Sequence, residues 1–249
     1  MEGLQDNSFV YESFVRVNRR RKRKGGKAQQ GVISPLDLLI RVREEITNDG
    51  RWLLDCEELI QTGLRDMRIE PRDVLCLGLG SPCSSRDARA QLAFLSRLCA
   101  LSNIDSANVS VYDPVFTDAD RRLFQVLGMQ CPSDIKAIKH SLDGPTILYM
   151  PHCDLKLYEI VIRANWTYGR LCDIVFLANC FSDYIDNNPA SKLEEQSPCL
   201  RRLAPLVESW PLPTSGAFPT AFNNLSVQYV KREPLSLEGD TFWHLVEMS

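Results

Sequence analysis

Two glycines, Gly78 and Gly80, follow directly on a short apolar run, Val74 to Leu77, and lead into Ser81 and Pro82. Glycine there lets the chain turn tightly and brings backbone N–H groups towards an anion at a helix N-terminus, which is phosphate-binding chemistry. The loop reads G-x-G-x-x-x and not G-x-G-x-x-G, because Ser81, Pro82 and Cys83 follow Gly80, and Pro82 removes one donor. The pattern speaks for a fold more strongly than for a ligand. Three further apolar runs end in polar residues: Asp113 before Pro114, His152-Cys153 after Pro151, and Asn179 before Cys180. Asp113 suits two ribose hydroxyls, the role of an acidic residue in dinucleotide and adenosyl-methionine sites, although its spacing from Gly80 exceeds the usual ~20 residues. The other reading is a carboxylate capping the turn at Pro114. Asn179 is suited either to donate to a substrate carbonyl or to tie down its own loop.

His152-Cys153 stands where a general base or nucleophile would be placed. A Cys–His nucleophile needs two side chains that meet, and adjacent residues diverge. The competing reading is a helix cap around Cys153-Asp154 with a structural histidine. A metal or haem alternative has His152 as axial ligand, or uses the Cys131-Pro132 dipeptide, itself a common chance pair. No P-loop, H-E-x-x-H, G-x-S-x-G or metal-spaced carboxylate pair occurs. Trp210, Phe218 and Phe222, in a proline-rich segment, are the residues from which an exposed apolar docking patch would be built.

These positions need elements to hold them. Ser34-Pro35 opens a helix to about Gly50, and a second helix is expected from Leu53 to Gly63. Val74 to Leu77 is a buried strand, and a helix follows from Ser84 or Ser85 to Ser102. The stretch Asn108 to Asp113 is a strand, Thr117 caps the next helix, Gly128 ends it, and 129–132 has room for a brief strand. Thr146 to Met150 is a strand and Leu155 to Trp166 an amphipathic helix closed near Gly169. Asp173 to Ala178 is a strand, Ile185 to Ser197 a polar loop with a short helix, and Leu200 to Val207 amphipathic. Leu225 to Val230 alternates like an edge or antiparallel strand, and Trp243 lies in a final short element. Strands alternating with helices from Val74 to Ala178 predict an α/β fold. It is a Rossmann-like, doubly wound, mostly parallel sheet in three layers, with the N-terminal helices added. Ligands of such sheets sit outside the strand carboxyl ends, where Gly78, Gly80, Ser81, Asp113, His152, Cys153 and Asn179 converge.

Composition bounds the rest. Residues 1–31 read as a basic, disordered arm carrying Arg19 to Lys24, either a solvated tail or a nuclear-import or nucleic-acid patch; residues 32–249 read as one domain. A hydrophobic content of 44% supports a sizeable core, and a net charge of -3 argues against whole-protein affinity for nucleic acid or membrane. No apolar run reaches the ~20 residues of a spanning helix. Nine cysteines, an odd number with no C-x-x-C pair, point to a reduced intracellular protein without structural zinc.

The stretches VLCLGLGSPCSSRDARAQLAFL, VSVYDPVFT, TILYMPHCDLKLYE and IVFLANCFS together resemble the sensitivity-to-red-light-reduced family, especially its animal members, from about Val74 to Ser182. The resemblance implies a regulatory role in circadian and light signalling, with links to haem biosynthesis and clock-gene expression, and attaches no reaction. The protein is expected in the cytoplasm and also in the nucleus, with protein partners. The cofactor stays open between haem and S-adenosylmethionine or a nucleotide. The alternatives to a ligand-sensing regulator are a transferase using adenosyl-methionine or a nucleotide, and an interaction scaffold.

Overall fold

The computed structural model describes residues 33–134, 140–232 and 241–245. The basic run expected to work as an arm lies outside them.

Helix α1 (Pro35–Asn48) starts where the sequence places it: the Ser34 hydroxyl accepts from the Asp37 amide at 3.1 Å, and Leu39, Val42 and Ile46 form its buried stripe. Helix α2 (Gly50–Met67) is longer than expected at both ends and closes at Arg68, in the left-handed region at φ 56. Gly63 does not terminate it. A Cβ there would meet Val227 Cγ1 at 3.2 Å, so this glycine sets the close approach of α2 to the sheet. Strand β1 (Asp73–Leu77) is followed by α3 (Arg86–Leu101), capped by Ser85, then β2 (Val109–Tyr112) and α4 (Asp118–Val126). The segment 129–132 contributes only a single parallel bridge, Gln130 to Ser110.

Strand β3 (Thr146–Met150) leads into α5 (Leu155–Ala164), capped by Asp154, and a separate turn of helix, α6 (Tyr168–Leu171). Trp166 therefore sits between helices and not within α5. After β4 (Ile174–Asn179) comes α7 (Phe181–Asp186); the short helix expected in the polar stretch is α8 (Ala190–Gln196), followed by α9 (Pro198–Leu203). Strand β5 (Val207–Pro211) was not legible, and β6 (Leu225–Val230) completes the sheet.

The fold is mixed α/β with a six-stranded, mostly parallel sheet in the order β2-β1-β3-β4-β6-β5. Strands β2, β1, β3 and β4 are parallel, and β6 runs antiparallel to both β4 and β5. Strand β6 is thus interior, and β5 forms the edge, ending at Pro211, a residue that edge strands tolerate. Alternate residues feed two cores. Val74, Cys76, Ile147, Tyr149, Val175 and Leu177 join α1 to α4, whereas Leu75, Leu77, Leu148, Met150, Ile174 and Phe176 join α5 and α9. Burial on both faces explains why these strands read as unbroken apolar runs. Each fully buried aliphatic or aromatic side chain contributes roughly 1.5–3 kcal/mol.

Candidate functional site at the carboxyl edge of the sheet

Strand order reverses between β1, which leads to β2 on one side, and β3, which lies on the other. In open α/β sheets that switch point leaves a crevice at the strand carboxyl ends. Its floor is made by Gly78, at φ +71, and by Cys153, whose Sγ lies 2.5 Å from where a Gly78 Cβ would stand. Cys153 is 6% exposed and its thiol bonds to the Leu77 carbonyl at 3.3 Å. Burial, with Asp113 and Asp154 adding negative charge, pushes that thiol well above its ordinary pKa. It is a packing group. A nucleophile at this position would need an exposed thiol with a lowered pKa.

The glycine turn is held by carboxylates. The Gly80 amide donates to Asp113 Oδ2 at 2.8 Å, and the Val115 amide donates to Asp113 Oδ1 at 3.0 Å. Asp113 is 7% exposed. Burial raises its pKa, the Val115 and Gly80 amides pull it back, and nearby Asp120 pushes it up again, leaving it above the ordinary value. Asp120, wholly buried, stands in the first turn of α4. Its Oδ1 accepts from the Cys83 amide at 2.8 Å; its Oδ2 accepts from the Ser81 hydroxyl at 2.8 Å and from the Thr117 amide and hydroxyl at 2.8 and 2.7 Å. Burial alone would raise its pKa, but these bonds outweigh it and hold the carboxyl below its usual range. The sequence signal was the spacing Thr117-x-x-Asp120, a capping box. Nothing in that spacing announces the reach back to the loop.

Asn179, at the end of β4, accepts the His152 amide on Oδ1 at 2.7 Å, and so holds His152 in the left-handed region at φ 56. Its backbone is tied as well: the amide donates to Tyr158 Oη at 3.2 Å, and the carbonyl accepts Gln228 Nε2 at 3.0 Å. Tyr158, buried, donates in turn to the Met150 carbonyl at 2.8 Å. Tyr158 and Gln228 are the positioning residues that sequence reading missed. The Asn179 side-chain NH2 makes no hydrogen bond to the described residues. His152 is exposed, and its Nε2 lies 3.2 Å from the Ala221 carbonyl, which can only accept.

Gly78, Gly80, Ser81, Asp113, His152, Cys153 and Asn179 thus share one edge, in two linked groups: the glycine turn with Asp113 and Asp120, and the β3–β4 ends with His152 and Asn179. A cavity of about 350 Å³ lies at the opposite edge, lined by Asp73, Asn108 and Thr146 at the strand amino ends. The Cys131 thiol lies against Arg121 at 3.7 Å. Among the described residues no three His, Cys, Asp or Glu side chains are grouped to hold a metal ion. The expected docking patch is not one: Phe218 and Phe222 are 1% and 2% exposed, and the half-buried Trp210 packs edge-on against Tyr229.

The fold and this edge define an α/β protein with a polar, strand-end site. The SRR1 domain matches residues 57–229, which include Gly78, Asp113, His152 and Asn179, and the chain belongs to that family. It is similar to an SRR1-like protein of Mus musculus, 30% identical over 131 residues, covering 52% of this chain and 53% of the mouse protein. A Drosophila melanogaster SRR1-like protein is 28% identical over 193 residues, covering 77% and 67% of the two chains. Protein Sensitivity to Red Light Reduced 1 of Arabidopsis thaliana is 27% identical over 140 residues, covering 56% and 46%. The chain spans about half the length of the mouse and Arabidopsis relatives it matches. No solved structure matches it.

Proposed function

We propose that the chain is a regulatory protein of light- and clock-linked signalling, tied to haem biosynthesis and clock-gene expression and acting in the cytoplasm and nucleus. It responds to a small, phosphate-free polar ligand at the strand carboxyl edge. The carrying observation is that the loop amides suited to a phosphate are already committed: Gly80 to Asp113 and Cys83 to Asp120. A pyrophosphate would meet used donors and two carboxylates, a repulsion of order 1–4 kcal/mol per charge pair at 4 Å near a protein surface. A ligand bearing hydroxyls is better suited. An ionised carboxylate has about four acceptor sites, so Asp113 keeps lone pairs beyond its two amide bonds. The Asn179 NH2 supplies a donor, and the His152 ring flanks it. The parallel run 2-1-3-4 and a core on each sheet face support a doubly wound, three-layer, Rossmann-like reading.

A second reading, a transferase using adenosylmethionine, is favoured by one observation, the two carboxylates Asp113 and Asp120 that hold the glycine turn. The cofactor carries no phosphate and bears a positive sulfonium, which suits a carboxylate-lined turn. In this reading Asp113 would take the ribose hydroxyls, and Asn179 or His152 would face the acceptor.

Thermal-shift titration with S-adenosylmethionine, adenosine, NAD and haem tests both. A ligand at a hundredfold excess over its dissociation constant stabilises by about 2.7 kcal/mol. The expected result is stabilisation by a phosphate-free nucleoside, lost in Asp113→Ala, with NAD inert. NAD binding equal to that of adenosine would overturn the proposal. A haem absorbance change lost in His152→Ala would replace the nucleoside with haem.

A further inference from the structure

Helices α1 and α3 pack side by side, and a cavity of about 340 Å³ lies between their carboxyl-terminal halves, α2 and the end of α4. Ile46, Leu53, Leu127 and Met129 give it apolar walls, and Arg43 and Arg97 give it charge. The two arginines are in different states. Arg97 forms a two-pronged ion pair with Glu57, its Nη2 donating to Oε2 at 3.2 Å and its Nε to Oε1. Arg43 has no carboxylate partner among the described residues. Its Nη2 donates to the Ser96 hydroxyl at 2.9 Å, and its Nε is buried with no hydrogen-bond partner. Ser96 supplies no charge, and its own hydroxyl proton goes to the Leu92 carbonyl at 3.0 Å.

A half-buried guanidinium with a stranded N–H is costly, because desolvation is not offset by an opposite charge or a full set of acceptors. The same burial pulls Arg43 below its usual pKa, with no carboxylate acting against it. What would relieve the missing charge is an oxyanion in the cavity, pairing with the guanidinium that lines it. The apolar walls specify the rest of the ligand.

We propose that this cavity binds a small amphipathic anion, its carboxylate or phosphate head on Arg43 and its apolar body against Ile46, Leu53, Leu127 and Met129. The site lies away from the strand carboxyl edge and is independent of the ligand proposed there. A volume of this size falls at the lower end for small-molecule pockets.

Calorimetric titration of the full chain with octanoate, octyl phosphate, octanol and inorganic phosphate tests it. Saturable binding of one of the two eight-carbon anions is expected, with octanol at least about tenfold weaker for want of the charge-assisted bond to the guanidinium, and inorganic phosphate at least about tenfold weaker for want of the apolar body. The head group that binds more tightly identifies the class of anion. Arg43→Gln should weaken the preferred anion at least about tenfold. Thr47→Glu, on the exposed surface one turn along α1, places a carboxylate within reach of Arg43 and should do the same without touching the core. Should Arg43→Gln unfold, Thr47→Glu decides alone. Octanol binding as tightly as the anions, unchanged affinity in the folded variants, or no saturable binding by either anion would each overturn the proposal.

Discussion

The thiol of Cys153 occupies the space in which a side chain on Gly78 would begin, 2.5 Å from the position of its Cβ. The first strand can therefore turn away beside the third only if residue 78 has no side chain, and residue 78 also sits at φ +71. Gly78→Ala should cost about 2–4 kcal/mol, from left-handed strain and overpacking together. Gly80→Ala has the same φ, but its nearest contact is Ala88 Cβ at 3.4 Å, so it should cost about 1 kcal/mol. Denaturant unfolding of both, and of Gly78→Ala with Cys153→Ala, checks this. The double variant should recover the steric part of the loss, and equal costs at positions 78 and 80 would contradict it.

The two loop carboxylates should leave opposite marks on stability against pH. Asp120 has a folded pKa below its ordinary value, so the stability it contributes is present above pH ~4 and is lost as pH falls through the folded value. Asp113 has a folded pKa above its ordinary value, so the folded state holds the extra proton and stability falls as pH rises from ~4 through that raised value. Asp120→Asn should flatten the acid limb of a urea-unfolding series, and Asp113→Asn should flatten the limb just above it. Asp120→Ala should cost about 3 kcal/mol or more at neutral pH, because the Cys83 and Thr117 amides lose their acceptor.

His152 should show stability and binding pulling in opposite directions. Its backbone is held at φ 56 by the bond from its amide to Asn179. His152→Gly relieves that strain and is expected to raise stability by about 0.5–1 kcal/mol while removing the ring from the proposed strand-end site. A thermal melt paired with nucleoside titration separates the two effects. A loss of stability would mean that the ring contact with the Ala221 carbonyl outweighs the backbone strain.

Cysteine reactivity should be selective. Cys180, Cys83 and Cys131 are each partly exposed. At Cys180 burial raises the thiol pKa, but hydrogen bonds with the Ser182 and Ser209 hydroxyls bring it below the ordinary value. Burial and Asp120 push Cys83 up to about 12. Iodoacetamide at neutral pH, followed by peptide mass mapping, should label Cys180 well before Cys83. The reverse order would rule out the lowered thiol pKa at position 180.

Much of this was readable from residues alone, for a definite reason. Strands β1, β3 and β4 are buried on both faces, so each appears as a bare apolar run, and Ser34, Ser85, Thr117 and Asp154 announce the helix starts through their own side chains. The strand-end residues followed from the same runs. What stayed hidden depends on partners distant in sequence. Gly63 looks like a helix stop until Val227 is set against it, and VESWP becomes a strand only because β6 pairs with it. Phe218 and Phe222 suggest an exposed patch until Trp52 and Phe94 close over Phe222. Asp120 is a local cap whose longer-range bonds no spacing reveals.

The seat of β6 between β4 and β5 has a consequence for how the chain is made. Strand β5 leaves the ribosome with no neighbour to pair with, and β4 presents a bare edge, until Leu225–Val230 has emerged and slotted between them. During that interval the nascent sheet is a four-stranded parallel core with an open, apolar border, the kind of edge on which chains adhere to one another. A ribosome that stalls, or a message that stops, before Leu225 would release that border permanently. The late strand therefore acts as the closing step of sheet assembly, covering the open border of β4 and giving β5 its neighbour.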